Sequence, residues 1–80
     1  MDHVKKFLAK LRPEMRDKVE LVIRNIYMRN LALYHVKQLH DLKHTFRIRI
    51  GHCRIIFYMD RYEVHILDVR KRDDTTYNNL

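Results

Sequence analysis

Arg47, Arg49 and Arg54 are the residues in this chain whose type and spacing can do chemistry. Guanidinium groups make paired contacts to phosphate oxygens and stay charged at any working pH. Three like charges brought close together add little to the stability of a fold, so such a cluster predicts a polyanion as ligand. Arg70, Lys71 and Arg72 form a second basic run, followed by Tyr77, which can stack on a base or assist proton transfer. Lys43 and His44 stand just before the first arginine. A reaction at a phosphate group needs a base, an acid and cationic stabilisation of the transition state. The arginines suit the last role and are poor bases, because a guanidine is almost never neutral near pH 7. Histidine exchanges protons near neutrality, which makes His44 and His65 the candidates for that step.

These residues need a sheet to bring them together, and residues 45–77 read as three strands joined by two tight turns. Side chains on a strand alternate between faces. Phe46, Ile48 and Ile50 therefore share one face, while Thr45, Arg47 and Arg49 share the other. Gly51-His52 suits a two-residue hairpin turn. That turn pairs Ile50 with Cys53, Arg49 with Arg54, Ile48 with Ile55 and Arg47 with Ile56. A second turn at Asp60-Arg61 pairs Phe57 with Val64, Ile55 with Ile66 and Ile56 with His65. The apolar face then holds Phe46, Ile48, Ile50, Cys53, Ile55, Phe57, Met59, Tyr62, Val64 and Ile66. The open face holds Arg47, Arg49, Arg54, Ile56, Tyr58, Glu63, His65, Leu67 and Val69. Asp68 falls on the apolar face in this register, which predicts a strand end or a bulge there. Apolar Ile56, Leu67 and Val69 among the cations look like a binding surface for bases or a covering peptide.

The apolar face needs a cover. Val4, Phe7, Leu8 and Leu11 make an amphipathic helical stripe over residues 3–12. Pro13 suits the first position of a second helix, whose apolar face is Met15, Val19, Val22, Ile23 and Ile26, running to about Arg29. The two form an antiparallel hairpin over the sheet. Residues 30–44 read as a connector with some helical turns, bringing His40, Asp41, Lys43 and His44 close to the first strand.

Eighty residues with one Gly and one Pro predict a single domain over residues 1–80. The lone Cys53 cannot form an internal disulfide, which predicts a cytoplasmic protein and a small buried side chain. No apolar run approaches the roughly 20 residues needed to span a bilayer, so no membrane partner is expected. The net charge of +7 favours an anionic partner. The histidines at 3, 35, 40, 44, 52 and 65 show no HxH or HExxH spacing, and there is no CxxC. No metal and no cofactor is expected. A phosphate-binding glycine loop is excluded, because Gly51 is the only glycine.

The helical hairpin, then FRIRIGHCRIIFYMD, then EVHILDVRKRDDTTY, resembles the RelE/ParE superfamily of type II toxin–antitoxin toxins over about residues 4–77. The resemblance implies an α+β fold: an N-terminal helical hairpin packed on a three-stranded antiparallel sheet, RelE-like and lacking the family's first strand. It implies a metal-independent, ribosome-dependent messenger RNA endonuclease that inhibits translation. By similarity the catalytic set is Arg47, Arg49, Arg54, Arg72 and Tyr77, with Arg70, Lys71, Lys43 and His44 binding RNA. The implied partners are messenger RNA on the ribosome, including ribosomal RNA, and a cognate antitoxin, an acidic peptide covering the basic face and the sheet edge. Cys53 stands where the family has an aromatic, and the step from Arg72 to Tyr77 is one residue short. The alternative is a non-enzymatic protein, either a ParE-type gyrase inhibitor or a decayed toxin that only binds its antitoxin.

Overall fold

The computed structural model describes residues 2–71. Among them are two helices, α1 (Asp2–Ala9) and α2 (Pro13–Tyr27), and four strands, β1 (Val36–Gln38), β2 (Thr45–Ile50), β3 (Cys53–Met59) and β4 (Val64–Lys71). The strands form one antiparallel sheet in the order β1-β2-β3-β4. Both helices lie against β4 and against each other.

Pro13 opens α2, where its missing N–H breaks no helical bond. The helix ends without glycine. Arg29 takes a left-handed φ of 59°. Its N–H donates to the Ile26 carbonyl at 3.0 Å, and the Asn30 N–H donates to Asn25 at 2.8 Å. These are the two bonds of a Schellman ending. Val4, Val19, Val22 and Ile26 from the helices and Ile48, Cys53, Ile55, Phe57, Ile66 and Val69 from the sheet make the buried core. The expected helical cover on the isoleucine face is therefore present.

The first hairpin has the expected register: Ile50 faces Cys53, Arg49 faces Arg54, Ile48 faces Ile55 and Arg47 faces Ile56. Gly51 has φ 55°, while His52 has no positive φ, the sign pattern of a type II′ turn. A Cβ on Gly51 would lie 2.5 Å from Met15 Cε, so the turn also sits close against α2.

Three expectations need correction. The sheet has four strands rather than three, because residues 36–38 of the supposed connector pair with Phe46, Arg47 and Ile48. The second turn is centred one residue later. Met59 pairs with Val64 and Phe57 with Ile66, because Asp60 captures the amides that follow it. Asp60 Oδ1 accepts from the N–H groups of Tyr62 and Glu63, both at 2.8 Å. Tyr62 consequently belongs to the exposed loop and leaves the apolar face. Finally, the face of Val69 changes: the irregularity expected at Asp68 is a bulge with Leu67 as its extra residue, since Ile66 faces Phe57 and Asp68 faces Ile56. The bulge reverses the phase of β4 beyond it. Val69 was expected on the open face and is buried in the core, while Leu67 is exposed.

The bulge has a direct test. Leu67→Asp is expected to change unfolding free energy by about 0.5 kcal/mol or less. Val69→Asp should abolish cooperative folding or cost several kcal/mol, because it buries an unpaired charge. Chemical denaturation of both variants checks this. Equal effects would mean that the ladder runs without a phase change.

Candidate nucleic-acid interface

The sheet face away from the helices is ordered in rows by the cross-strand pairing. One row is Arg49, Arg54 and Arg70, each directly opposite the next. The adjacent row is Lys37, Arg47, Ile56 and Asp68. The third is Thr45, Tyr58 and His65. Alternation on β2 and β3 places the arginines, and the bulge brings Arg70 opposite Arg54. Like charges directly opposite on a sheet repel, and an anion laid along the row would offset that repulsion.

Arg47, Arg49 and Arg54 are brought together as expected, but they are not equally open. Arg49 is exposed, whereas Arg47 and Arg54 each retain only 8% of their surface. Burial therefore reaches their charged ends as well as their stems, and Nε of Arg54 is itself enclosed. The Arg47 guanidinium titrates below the usual range for arginine, first because of burial and then because Arg49 and Arg54 repel its charge. A groove beside it is lined by His35, Lys37, Arg47 and Arg49. Lys37 was not anticipated as part of the site. A three-residue strand carries too short a period for the sequence to show which face its cation occupies.

Arg70 is half-buried and is held by the Asp68 carboxylate through its Nε. Asp68 is also 3.5 Å from Nε2 of His3, which lies 3.3 Å from the Leu67 carbonyl oxygen. The start of α1 is thus tied to the bulge. Lys71 is exposed on β4 and pairs with Cys53, away from the arginine row by alternation. Cys53 is buried, and burial raises its thiol pKa. Lys43 is exposed at the approach to β2, where its carbonyl accepts a 3.0 Å bond from Thr45 Oγ1. Arg72 and Tyr77 lie outside the described residues. Among the described residues, no three His, Cys, Asp or Glu side chains converge as a metal-ligand group, and no helix is long and apolar enough to cross a membrane.

The far end of this face is aromatic. His44 has φ 56°, and its ring meets Tyr58 edge-on at 5.9 Å. His65 lies on the other side of Tyr58, 6.1 Å away and tilted by 43°. The Tyr58 hydroxyl donates to Asp60 Oδ2 at 2.6 Å. That bond, the two loop amides and, to a smaller extent, nearby His44 hold the Asp60 carboxyl at about 2, below its usual 3.8. The same bond raises the Tyr58 pKa, with burial and the charges of Asp60 and Glu63 adding to it. His65 Nε2 lies 3.6 Å from Glu63 Oε1. The imidazoles of His44 and His65 therefore border Tyr58, one row beyond Arg47.

No protein-family model matches the chain, and neither does any curated protein or solved structure.

Asp60 makes the acid stability of the second hairpin testable. Its folded pKa is depressed, so its contribution is complete above 3.8 and is lost as pH falls through about 2. Asp60→Asn should reduce stability at neutral pH and flatten its dependence over that interval. Thermal melts across the interval check this. A wild-type slope in the variant would assign the acid sensitivity to other carboxylates.

Proposed function

We propose that this chain is the toxin of a type II toxin–antitoxin system, a ribosome-dependent messenger RNA endonuclease of the RelE type acting in the cytoplasm. The observation that supports this most is the grouping of Arg47, Arg49, Arg54 and Arg70 on the sheet face that the helices leave uncovered. That grouping is also where the resemblance of the FRIRIGHCRIIF segment puts the phosphate-binding side chains. The helical hairpin followed by an antiparallel meander fits the same reading.

In this reaction the 2′-oxygen of one nucleotide attacks the adjacent phosphorus, and the bond to the 5′-oxygen of the next nucleotide breaks. The 2′-OH loses a proton, and the leaving 5′-oxygen gains one. The products are a 2′,3′-cyclic phosphate and a 5′-hydroxyl. Negative charge grows on the non-bridging oxygens during attack, and guanidinium donors already in place stabilise it. Arg49 is the exposed donor; Arg47 and Arg54 stand in adjacent positions and are nearly buried. Arg72 and Tyr77 complete the set by resemblance. His44 is the nearer of the two histidine candidates for proton transfer by sequence, adjacent to β2, while His65 lies across the sheet on β4. Ribosomal RNA is the other source of such a group. An acidic antitoxin segment would neutralise the protein by covering this cationic face and pairing with an outer strand.

Expression without a partner should arrest growth and cleave messengers on ribosomes, leaving 2′,3′-cyclic phosphate ends. Arrest with intact messenger and accumulating DNA breaks would instead support the gyrase-inhibiting alternative.

Arg49→Ala separates chemistry from folding. Its melting curve should move by about 0.5 kcal/mol or less, while ribosome-programmed cleavage falls by about 10²–10³-fold, the usual loss for one transition-state donor. Full cleavage by the folded variant would remove the arginine row from the mechanism.

A further inference from the structure

We propose that Tyr58, bordered by His44 and His65, is a stacking shelf for a nucleobase of single-stranded RNA whose backbone crosses the arginine row. This rests on reading the uncovered face as an RNA surface, and it adds a base-binding subsite to the phosphate contacts.

Three rings lie side by side on this face, from His44 before β2, through Tyr58 on β3, to His65 on β4. None of them belongs to the core cluster. His44 and His65 are exposed and Tyr58 is half-buried. The Tyr58 ring is oriented in advance, because its hydroxyl is bonded to Asp60. Asp60 in turn is held by the two loop amides. A ring fixed in this way loses little freedom when a base settles on it. Asp60 and Glu63 keep negative charge beside the rings, so a base rather than a phosphate belongs at the shelf, with the backbone along the arginine row.

Spacing connects the shelf to the cations. Tyr58, Ile56 and Arg54 alternate along one face of β3, so the ring and the guanidinium stem are about 13 Å apart along the strand. Ile56 provides an apolar step between them. Single-stranded sites combine a cationic track with aromatic rings in this way, and unstacked bases of single-stranded RNA can reach such rings. A duplex keeps its bases stacked inside, so the shelf selects single strands. An acidic peptide is the competing occupant, and it would be indifferent to the presence of bases.

The test compares two short single-stranded oligonucleotides, one 2′-O-methyl RNA and one abasic strand of equal length. The 2′-O-methyl group removes the attacking hydroxyl, so the probe stays intact. Fluorescence anisotropy at fixed low salt should show the wild type binding the base-bearing strand roughly 5- to 150-fold more tightly, the range for one base–aromatic stack. Tyr58→Ala should lose most of that preference while keeping its affinity for the abasic strand. Tyr58→Phe, which keeps the ring, should retain it. His65→Ala should weaken the preference and serves if Tyr58→Ala does not fold. Equal binding of both strands by the wild type overturns the shelf, as does an unchanged preference in a folded Tyr58→Ala, or in His65→Ala where it stands in. Ribosome-programmed cleavage is measured separately. Cleavage without base preference removes the shelf alone, and base preference without cleavage removes the nuclease reading alone.

Discussion

The β2–β3 register governs the rest of this molecule. Once Ile48 stands opposite Ile55, every residue of both strands is committed to a face, because side chains alternate with period two. A slip of one residue on either strand would turn its isoleucines outward and its arginines toward the helices. Gly51 holds the register at the turn, with a φ that other residues rarely adopt and a close approach to Met15. The burial of Ile48, Ile55 and Phe57 under α1 and α2 holds it along the strands. The cationic face follows from the same constraint that builds the core.

Strand β4 has to serve both faces at once, and the bulge at Leu67 makes that possible. Before the bulge, Ile66 fills the core; after it, Val69 does, and Arg70 joins the arginine row. Without the extra residue one of these would face the wrong way. His3 contacts the bulge from α1, and Asp68 holds Arg70 beside Arg54. The helical layer is thus coupled to the position of a cation on the opposite face of the sheet.

The uncovered face places like charges in adjacent positions, which is unfavourable for the isolated fold. Near-burial of Arg47 and Arg54 recovers part of that cost through the packing of their aliphatic carbons. The outer strands differ in what they expose. β1 is three residues long and carries Lys37, a short and charged edge. β4 is eight residues long and packs against both helices.

The alternation of residues 45–59 and the glycine at the turn were sufficient to place Arg47, Arg49 and Arg54 on one face and the isoleucines on the other. These are local signals, written in neighbouring residues, and the helical stripes were legible for the same reason. Strand β1 was not legible, because Val36–Gln38 is too short to show a period and becomes a strand only by pairing with β2. Alternation alone puts the second turn one residue early. The competition for the amides of Tyr62 and Glu63 was decided by the Asp60 side chain, which pattern counting does not weigh. The bulge was signalled by Asp68 standing out of phase, but its consequence for Val69 and Arg70 depended on where the helices needed an apolar side chain. The near-burial of Arg47 and Arg54 likewise belongs to the tertiary structure. Sequence determined which residues share a face. Only packing decided how deeply each is covered, because burial depends on neighbours far away along the chain.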